Sequence, residues 1–225
     1  MEPKELSEQL KKPTGENGLE VARALNESNQ GLYDLAFKLL ELKPNQNILE
    51  IGFGNGNHFS QYLQIEPELI LTGVDYSADM CEEAKARNAT LIDEDKLTIH
   101  CAETSALPFS NDEFDVIIAH NVIYFLNPPE PHLREIKRVL KPGGIFLIGY
   151  RPRHSIEHLE FTRHHFVLYE ADELIQLMKT NGFMIADQHT NSYQKSVVDG
   201  TSFQVTDACL LVKKKTPSST TDKGV

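Results

Sequence analysis

The period of the sequence changes abruptly at Pro44, and that change constrains the fold more than any other feature. Before it, Leu32, Leu35, Ala36, Leu39 and Leu40 recur at i, i+3, i+4, i+7 and i+8, the stripe of an amphipathic helix. After it, Asn47-Ile48-Leu49-Glu50-Ile51 is a short apolar run that ends in Gly52-Phe53-Gly54-Asn55-Gly56. A run of this length closed by glycines reads as a buried strand entering a tight loop. Further apolar runs follow at 69–74, 97–100, 114–119 and 145–150. The spacers between them fit crossover helices. Ser77 can cap one that runs through Met80 and Ala84, and Pro129 suits the first turn of another that buries Leu133, Ile136, Val139 and Leu140. Strands alternating with helices predict an α/β fold: a parallel sheet covered on both faces, a Rossmann-like three-layer sandwich.

The two ends of the chain read differently. Residues 1–16 suggest a flexible or loosely docked arm, and a helical pattern begins at Gly18 with Leu19, Ala22 and Leu25. Glu27-Ser28-Asn29-Gln30-Gly31 reads as a break before the helix resumes. Residues 170–180 are helical, Gly182 ends them, and two extended stretches (183–190 and 202–213) joined around Asp199-Gly200 predict an antiparallel hairpin at the sheet edge. The expected architecture is a seven-stranded, mostly parallel sheet with the last strand antiparallel and an N-terminal helical cap. The expected division is a cap over 1–44, a main domain over 45–213 with an inserted segment at 151–169, and a disordered polar tail over 214–225.

Composition narrows the function classes. A formal net charge of −11 disfavours a nucleic-acid partner, because neutralising phosphates needs concentrated Lys and Arg. Cys81, Cys101 and Cys209 are widely spaced and form no CxxC, which suits a reducing cytoplasm and offers no zinc ribbon. No apolar run reaches the roughly 18–20 residues of a membrane span, and the first residues carry no secretory pattern. No membrane partner and no metal ligand set are expected.

The glycine cluster carries the chemistry. Closely spaced glycines after a strand let a ligand approach backbone where any Cβ would clash, and the helix that follows presents free N–H groups. Gly52 opens G-x-G-x-G rather than the dinucleotide G-x-G-x-x-G, since Asn57 holds the sixth place. Asp75 ends the second strand roughly 20 residues on, where a carboxylate can accept both hydroxyls of a ribose. Either kind of nucleotide-like cofactor needs that contact.

Taken in order, Glu50-x-Gly52-x-Gly54-x-Gly56, Gly73-Val74-Asp75-Tyr76-Ser77, Leu107-Pro108-Phe109, Phe114-Asp115-Val116 and Arg138-Val139-Leu140-Lys141-Pro142-Gly143-Gly144 resemble the class I S-adenosylmethionine-dependent methyltransferases, especially their small-molecule branch. The resemblance implies S-adenosylmethionine as cofactor. Gly52, Gly54 and Gly56 would admit its methionine portion, with Glu50 near the amino group. Asp75 would hold the ribose, Tyr76 and Met80 would flank the adenine, and Glu103 would accept from the adenine amino group in place of the family's Asp. Asn121, just past the fourth strand, would lie near the sulfonium. The implied activity is methyl transfer to a nucleophilic atom of a small molecule.

Other motifs carry less. Asn127-Pro128-Pro129-Glu130 lies too far past the fourth strand, and lacks the aromatic, to serve as an Asn-Pro-Pro-Tyr signature. Residues 151–169 hold His154, His158, His164 and His165 and are expected to form a substrate lid together with the N-terminal segment. His120 and Tyr124, which follow the fourth strand, are the candidate catalytic side chains. Two rival readings are a nicotinamide-dependent oxidoreductase on a similar fold and a non-catalytic S-adenosylmethionine-binding protein.

Overall fold

The computed structural model describes residues 1–196 and 202–214. The N-terminal cap is α1 (Pro3–Lys11) and α2 (Gly15–Leu39). Then come β1 (Asn47–Ile51), α3 (Phe59–Ile65), β2 (Ile70–Asp75), α4 (Ala78–Arg87), α5 (Ala89–Asp93), β3 (Leu97–Cys101) and β4 (Phe114–His120). A 3₁₀ turn (Ile123–Phe125) leads to α6 (Pro129–Val139) and β5 (Leu140–Tyr150). The short α7 (Arg153–Ile156) and α8 (Thr162–His165) precede α9 (Ala171–Thr180), β6 (Phe183–Ser196) and β7 (Ser202–Lys214).

The strands form a seven-stranded sheet in the order β3-β2-β1-β4-β5-β7-β6. β1 to β5 run parallel, and β7 is antiparallel to both neighbours. The predicted fold class stands. Alternation along β4 explains the two layers of core, since successive side chains point to opposite faces. Ile117 and Ala119 join α6 and α9 on one face, and Val116 and Ile118 join α2, α3 and α4 on the other. Burying each such aliphatic side chain contributes about 1.5–3 kcal/mol. Among the described residues no helix is long and apolar enough to cross a membrane.

Local signals set several boundaries. Ser77 Oγ accepts from the Met80 N–H at 3.3 Å and starts α4. Pro129 stands at the start of α6, whose buried side is Leu133, Ile136 and Val139. A reciprocal capping box between Glu170 and Glu173 starts α9.

Elsewhere tertiary contacts override local expectation. The arm is not flexible: α1 is a helix whose Ser7 is fully buried. The Tyr76 hydroxyl donates to the Lys11 carbonyl at 2.5 Å, and Ser77 Oγ to the Pro13 carbonyl at 2.5 Å. The helix expected from Gly18 already begins at Gly15, and it does not break at residues 27–31. There Arg151 Nη2 donates to the Ser28 carbonyl at 2.6 Å while its Nε pairs with the fully buried Asp207 at 2.9 Å. A Cβ on Gly31 would stand 3.0 Å from Asp207 Oδ2, so glycine lets the helix lie this close to β7.

Lys141-Pro142-Gly143-Gly144 is not a spacer but part of β5. Leu140 pairs with Phe114 and Ile145 with Val116, so the ladder absorbs these residues as a bulge. β6 runs on to Ser196, beyond its expected end. The Asp199-Gly200 turn lies outside the described residues, as does the tail beyond Lys214. Lys214 itself ends β7 and donates to the Leu140 carbonyl at 2.7 Å.

Candidate functional site

In open α/β sheets ligands bind beyond the carboxyl ends of the strands, where the strand order reverses. Here that point lies between β1 and β4, and a cavity of about 320 Å³ opens there. Gly52 and Gly54 line it from the β1 loop, both in the left-handed region with φ of +70° and +59°. A Cβ on Gly52 would meet Val122 Cγ2 at 2.4 Å, whereas one on Gly54 would project into open space. Gly54 therefore leaves backbone bare toward the cavity. Gly56 has the same sign of φ for a different reason: its Cβ would strike Ala84 and Asn88, a packing constraint between loop and helix.

Asp75 reaches the cavity from the end of β2 and is 7% exposed. Its Oδ2 accepts from the Gly54 N–H at 3.1 Å and its Oδ1 from the Ser77 N–H at 2.9 Å. Burial pushes the carboxyl up to about 6, against the pull of these backbone donors. Tyr76, Glu103 and Asn121 also line the cavity. Asn121 holds φ +56° and donates from Nδ2 to Asn29 Oδ1 at 3.1 Å, which ties the end of β4 to α2.

Other predicted residues lie elsewhere. Met80, on α4, is fully buried and does not line the cavity, nor does Gly56. Glu50 stands behind the wall, 3% exposed, and Tyr33 of α2 covers it. Tyr33 donates to Glu50 Oε1 at 2.5 Å, and burial pushes the Glu50 carboxyl up to about 7. Tyr124 is buried outside the cavity. The Arg151 N–H donates to its hydroxyl at 2.5 Å, and that hydroxyl lies 3.2 Å from Asn121 Oδ1. It braces Asn121 and does not face a ligand. His120 does line the cavity, 6% exposed, and burial lowers it to about 3.

The expected lid at residues 151–169 does not reach the cavity. His154 pairs with Glu170 at 2.9 Å on the outside, and α7 stops at Ile156, so His154 and His158 share no helix face. Among the described residues no cluster of His, Cys, Asp and Glu could hold a metal ion. The N-terminal segment, expected to share the role of lid, does wall the cavity, through residues such as Leu10, Ala22, Asn26 and Asn29.

Sequence reasoning missed Tyr33 and His58. Their rings stack at 3.6 Å and 10°, and Tyr33 also leans on His120 at 4.2 Å. His58 Nε2, both nitrogens of His120 and Asn55 Nδ2 are buried without a hydrogen-bond partner among the described residues. Each such orphan costs about 1–3 kcal/mol, a cost that a bound ligand relieves. A signal existed: Asn26, Asn29 and Tyr33 recur at i, i+3 and i+7 on the helix face that buries Ala22.

Together these features define an α/β protein with a glycine-loop site for a nucleotide-like ligand. Residues 49–148 match the family model described as "Methyltransferase domain". Over 136 residues the chain is 30% identical to the ubiquinone/menaquinone biosynthesis C-methyltransferase UbiE of Geotalea daltonii, covering 60% of this chain and 54% of that one. Over 113 residues it is 34% identical to "Probable tRNA methyltransferase 9B" of Bos taurus, covering 49% and 22%. Haemonchus contortus phosphoethanolamine N-methyltransferase 2, solved with phosphomonomethylethanolamine and S-adenosylhomocysteine, shares the fold at a TM-score of 0.66 and 17% identity, covering 83% of this chain and 53% of that one. These matches agree with the resemblance to the class I S-adenosylmethionine-dependent methyltransferases that the sequence motifs carry, and they place a methyltransferase domain at residues 49–148. The chain spans about half the length of the UbiE relative.

Proposed function

We propose that this protein transfers the methyl group of S-adenosylmethionine to a nucleophilic atom of a small molecule in the cytoplasm. The observation that carries the reading is the bare backbone of Gly54 facing a cavity whose rim holds the Asp75 carboxylate. The residues fit the cofactor. Gly52 and Gly54 would admit its methionine portion, Asp75 would accept from the ribose hydroxyls, Tyr76 would flank the adenine, and Glu103 would accept from its amino group. When bound, the cofactor supplies a sulfonium-activated methyl group. The chain's own part is then alignment and exclusion of water, and orientation alone is worth about 7–11 kcal/mol of barrier. The match of residues 49–148 to a methyltransferase domain supports this chemistry over that of a nicotinamide-dependent oxidoreductase.

A small acceptor is favoured over nucleic acid by the charge of −11 and by the cap, whose helices wall the cavity. The relative named as a tRNA methyltransferase matches only 113 residues, so its acceptor is not carried over. The test has two stages. Calorimetry with S-adenosylmethionine, S-adenosylhomocysteine and NAD should show binding of the first two alone; tight NAD binding without them overturns the reading. Transfer of radiolabelled methyl should then enter a small-metabolite extract and not bulk tRNA. Label found in tRNA reverses the choice of acceptor, and no label in either leaves a non-catalytic binder.

A further inference from the structure

The cavity has two chemically different ends. The charged residues that line it, Lys11, Asp75 and Glu103, gather around Tyr76: the Lys11 main-chain carbonyl accepts from the Tyr76 hydroxyl, Asp75 precedes it, and Glu103 lies close enough to perturb it. The end around Tyr33 holds His58, His120, Asn26, Asn29 and Asn121 and carries no fixed charge. Glu50 is held by the Tyr33 hydroxyl and does not line the cavity. Asp34, the acid nearest His58 on α2, is exposed on the solvent side of the helix. Lys195 and Arg151 are engaged by Ser28 and Asp207 and do not line the cavity.

We infer that the Tyr33–His58–His120 end is the acceptor subsite and that it selects an uncharged molecule whose polar head both donates and accepts a hydrogen bond. The inference rests on the methyl-transfer reading and specifies its substrate class. The hydrogen-bonding argument is one of valence. A neutral imidazole offers one N–H and one bare nitrogen, and His120 presents both without a partner among the described residues. His120 Nδ1 lies against Gly149, so the nitrogens left to a ligand are His120 Nε2 and His58 Nε2; a hydroxyl or primary amide can accept from one and donate to the other, whereas a carboxylate only accepts and an ammonium only donates. Burial keeps both rings neutral at physiological pH, His58 lowered to about 4 and His120 to about 3, so neither supplies a counter-charge to an anion. An ion entering this end would lose its hydration with no opposite charge to replace it. Leu25, Val122 and Phe125 line the same cavity and give an apolar body something to pack against.

The geometry is also built around the ring of His120. It lies opposite Gly149 in the β4–β5 ladder, and a Cβ there would stand 2.1 Å from Nδ1. Only glycine leaves the imidazole its place.

The test uses matched aromatic probes titrated into the full chain by calorimetry or ligand-observed NMR, with and without saturating S-adenosylhomocysteine. Phenol and benzamide should bind at least tenfold more tightly than benzoate and benzylammonium. His120→Phe, which keeps the ring and removes both nitrogens, should weaken the neutral probes at least tenfold and leave S-adenosylhomocysteine affinity unchanged. His58→Phe serves as the second variant if the first fails to fold. Benzoate or benzylammonium binding as tightly as phenol overturns the inference, as does absence of binding by every probe or indifference to both substitutions. Failure of S-adenosylhomocysteine to bind would instead strike the methyl-transfer reading, whatever the probes do.

Discussion

Tyr33 donates a 2.5 Å hydrogen bond to Glu50 Oε1, joining the cap to the end of β1. The bond seals a buried carboxyl behind the cavity wall, and burial raises that group from 4.5 to about 7. A carboxyl raised in the folded state stabilises the protein below its unfolded pKa, and that stability is lost as pH rises through the folded value. Thermal melts of the wild type and Glu50→Gln between pH 4.5 and 8 should therefore diverge. The wild type should lose melting temperature relative to the variant as pH rises from about 4.5 to 7. The histidines act in the opposite sense, since lowered imidazoles cost stability as pH falls, but both proteins share them. Parallel melting curves would remove Glu50 as a titrating group.

Asp75 holds the Gly54 and Ser77 N–H groups as well as facing the cavity. Asp75→Ala should raise the Kd for S-adenosylhomocysteine at least tenfold, because each charge-assisted hydrogen bond is worth about 1.5–3 kcal/mol. Asp75→Asn should fall between, since it keeps an acceptor for one backbone donor. Calorimetry on folded variants reads this directly, and an unchanged Kd for Asp75→Ala would place the ribose elsewhere.

Gly54 and Gly56 separate binding from stability. Both need a left-handed backbone, which costs a substituted residue roughly 1–2 kcal/mol. Gly54→Ala adds only a methyl group in open space, so its main effect should be lost cofactor affinity. Gly56→Ala drives a methyl group to 2.8 Å from Ala84 Cβ, so overpacking should add about 1–3 kcal/mol of destabilisation. Equal melting temperatures for the two variants would contradict this division.

The cap should also be separable. Removing residues 1–12 deletes α1 and its bond to the Tyr76 hydroxyl, together with Lys12, whose ammonium lies 4.9 Å from the Tyr76 ring centroid. The sheet core contains no residue of α1, so a cooperative thermal transition should remain. Affinity for S-adenosylhomocysteine should fall by about threefold to tenfold as water gains access to that end of the cavity. Loss of the transition would make α1 a structural element, and unchanged affinity would deny it a part in the site.

The alternation of strands and helices, the glycine loop and Asp75 were legible because each is local. Hydrophobic period fixes which face of an element is buried, and a tight turn demands glycine wherever it sits. The nine or so residues around Pro44 and Gly52 carry enough of both signals to specify β1 and its loop. Met80 shows the limit of motif reading, since its place in the chain matched the family but its side chain turned into the core.

What only the tertiary structure decided is which distant segments close the site. The histidine-rich stretch at 151–169 looked like the lid on composition, yet it packs outside, with Phe166 against Phe125 at 4.6 Å and the Val167 N–H on the Tyr124 carbonyl. Of the two segments expected there, the N-terminal one does wall the cavity, with helix α2 held in place by Arg151, Asp207 and the Asn29–Asn121 bond. These are long-range contacts between residues up to 123 positions apart. Their energy depends on mutual geometry that no window of sequence contains. The sequence by itself determined the layers, the glycine loop and the carboxylate that ends β2; packing across the sheet determined the neutral, histidine-walled end of the cavity.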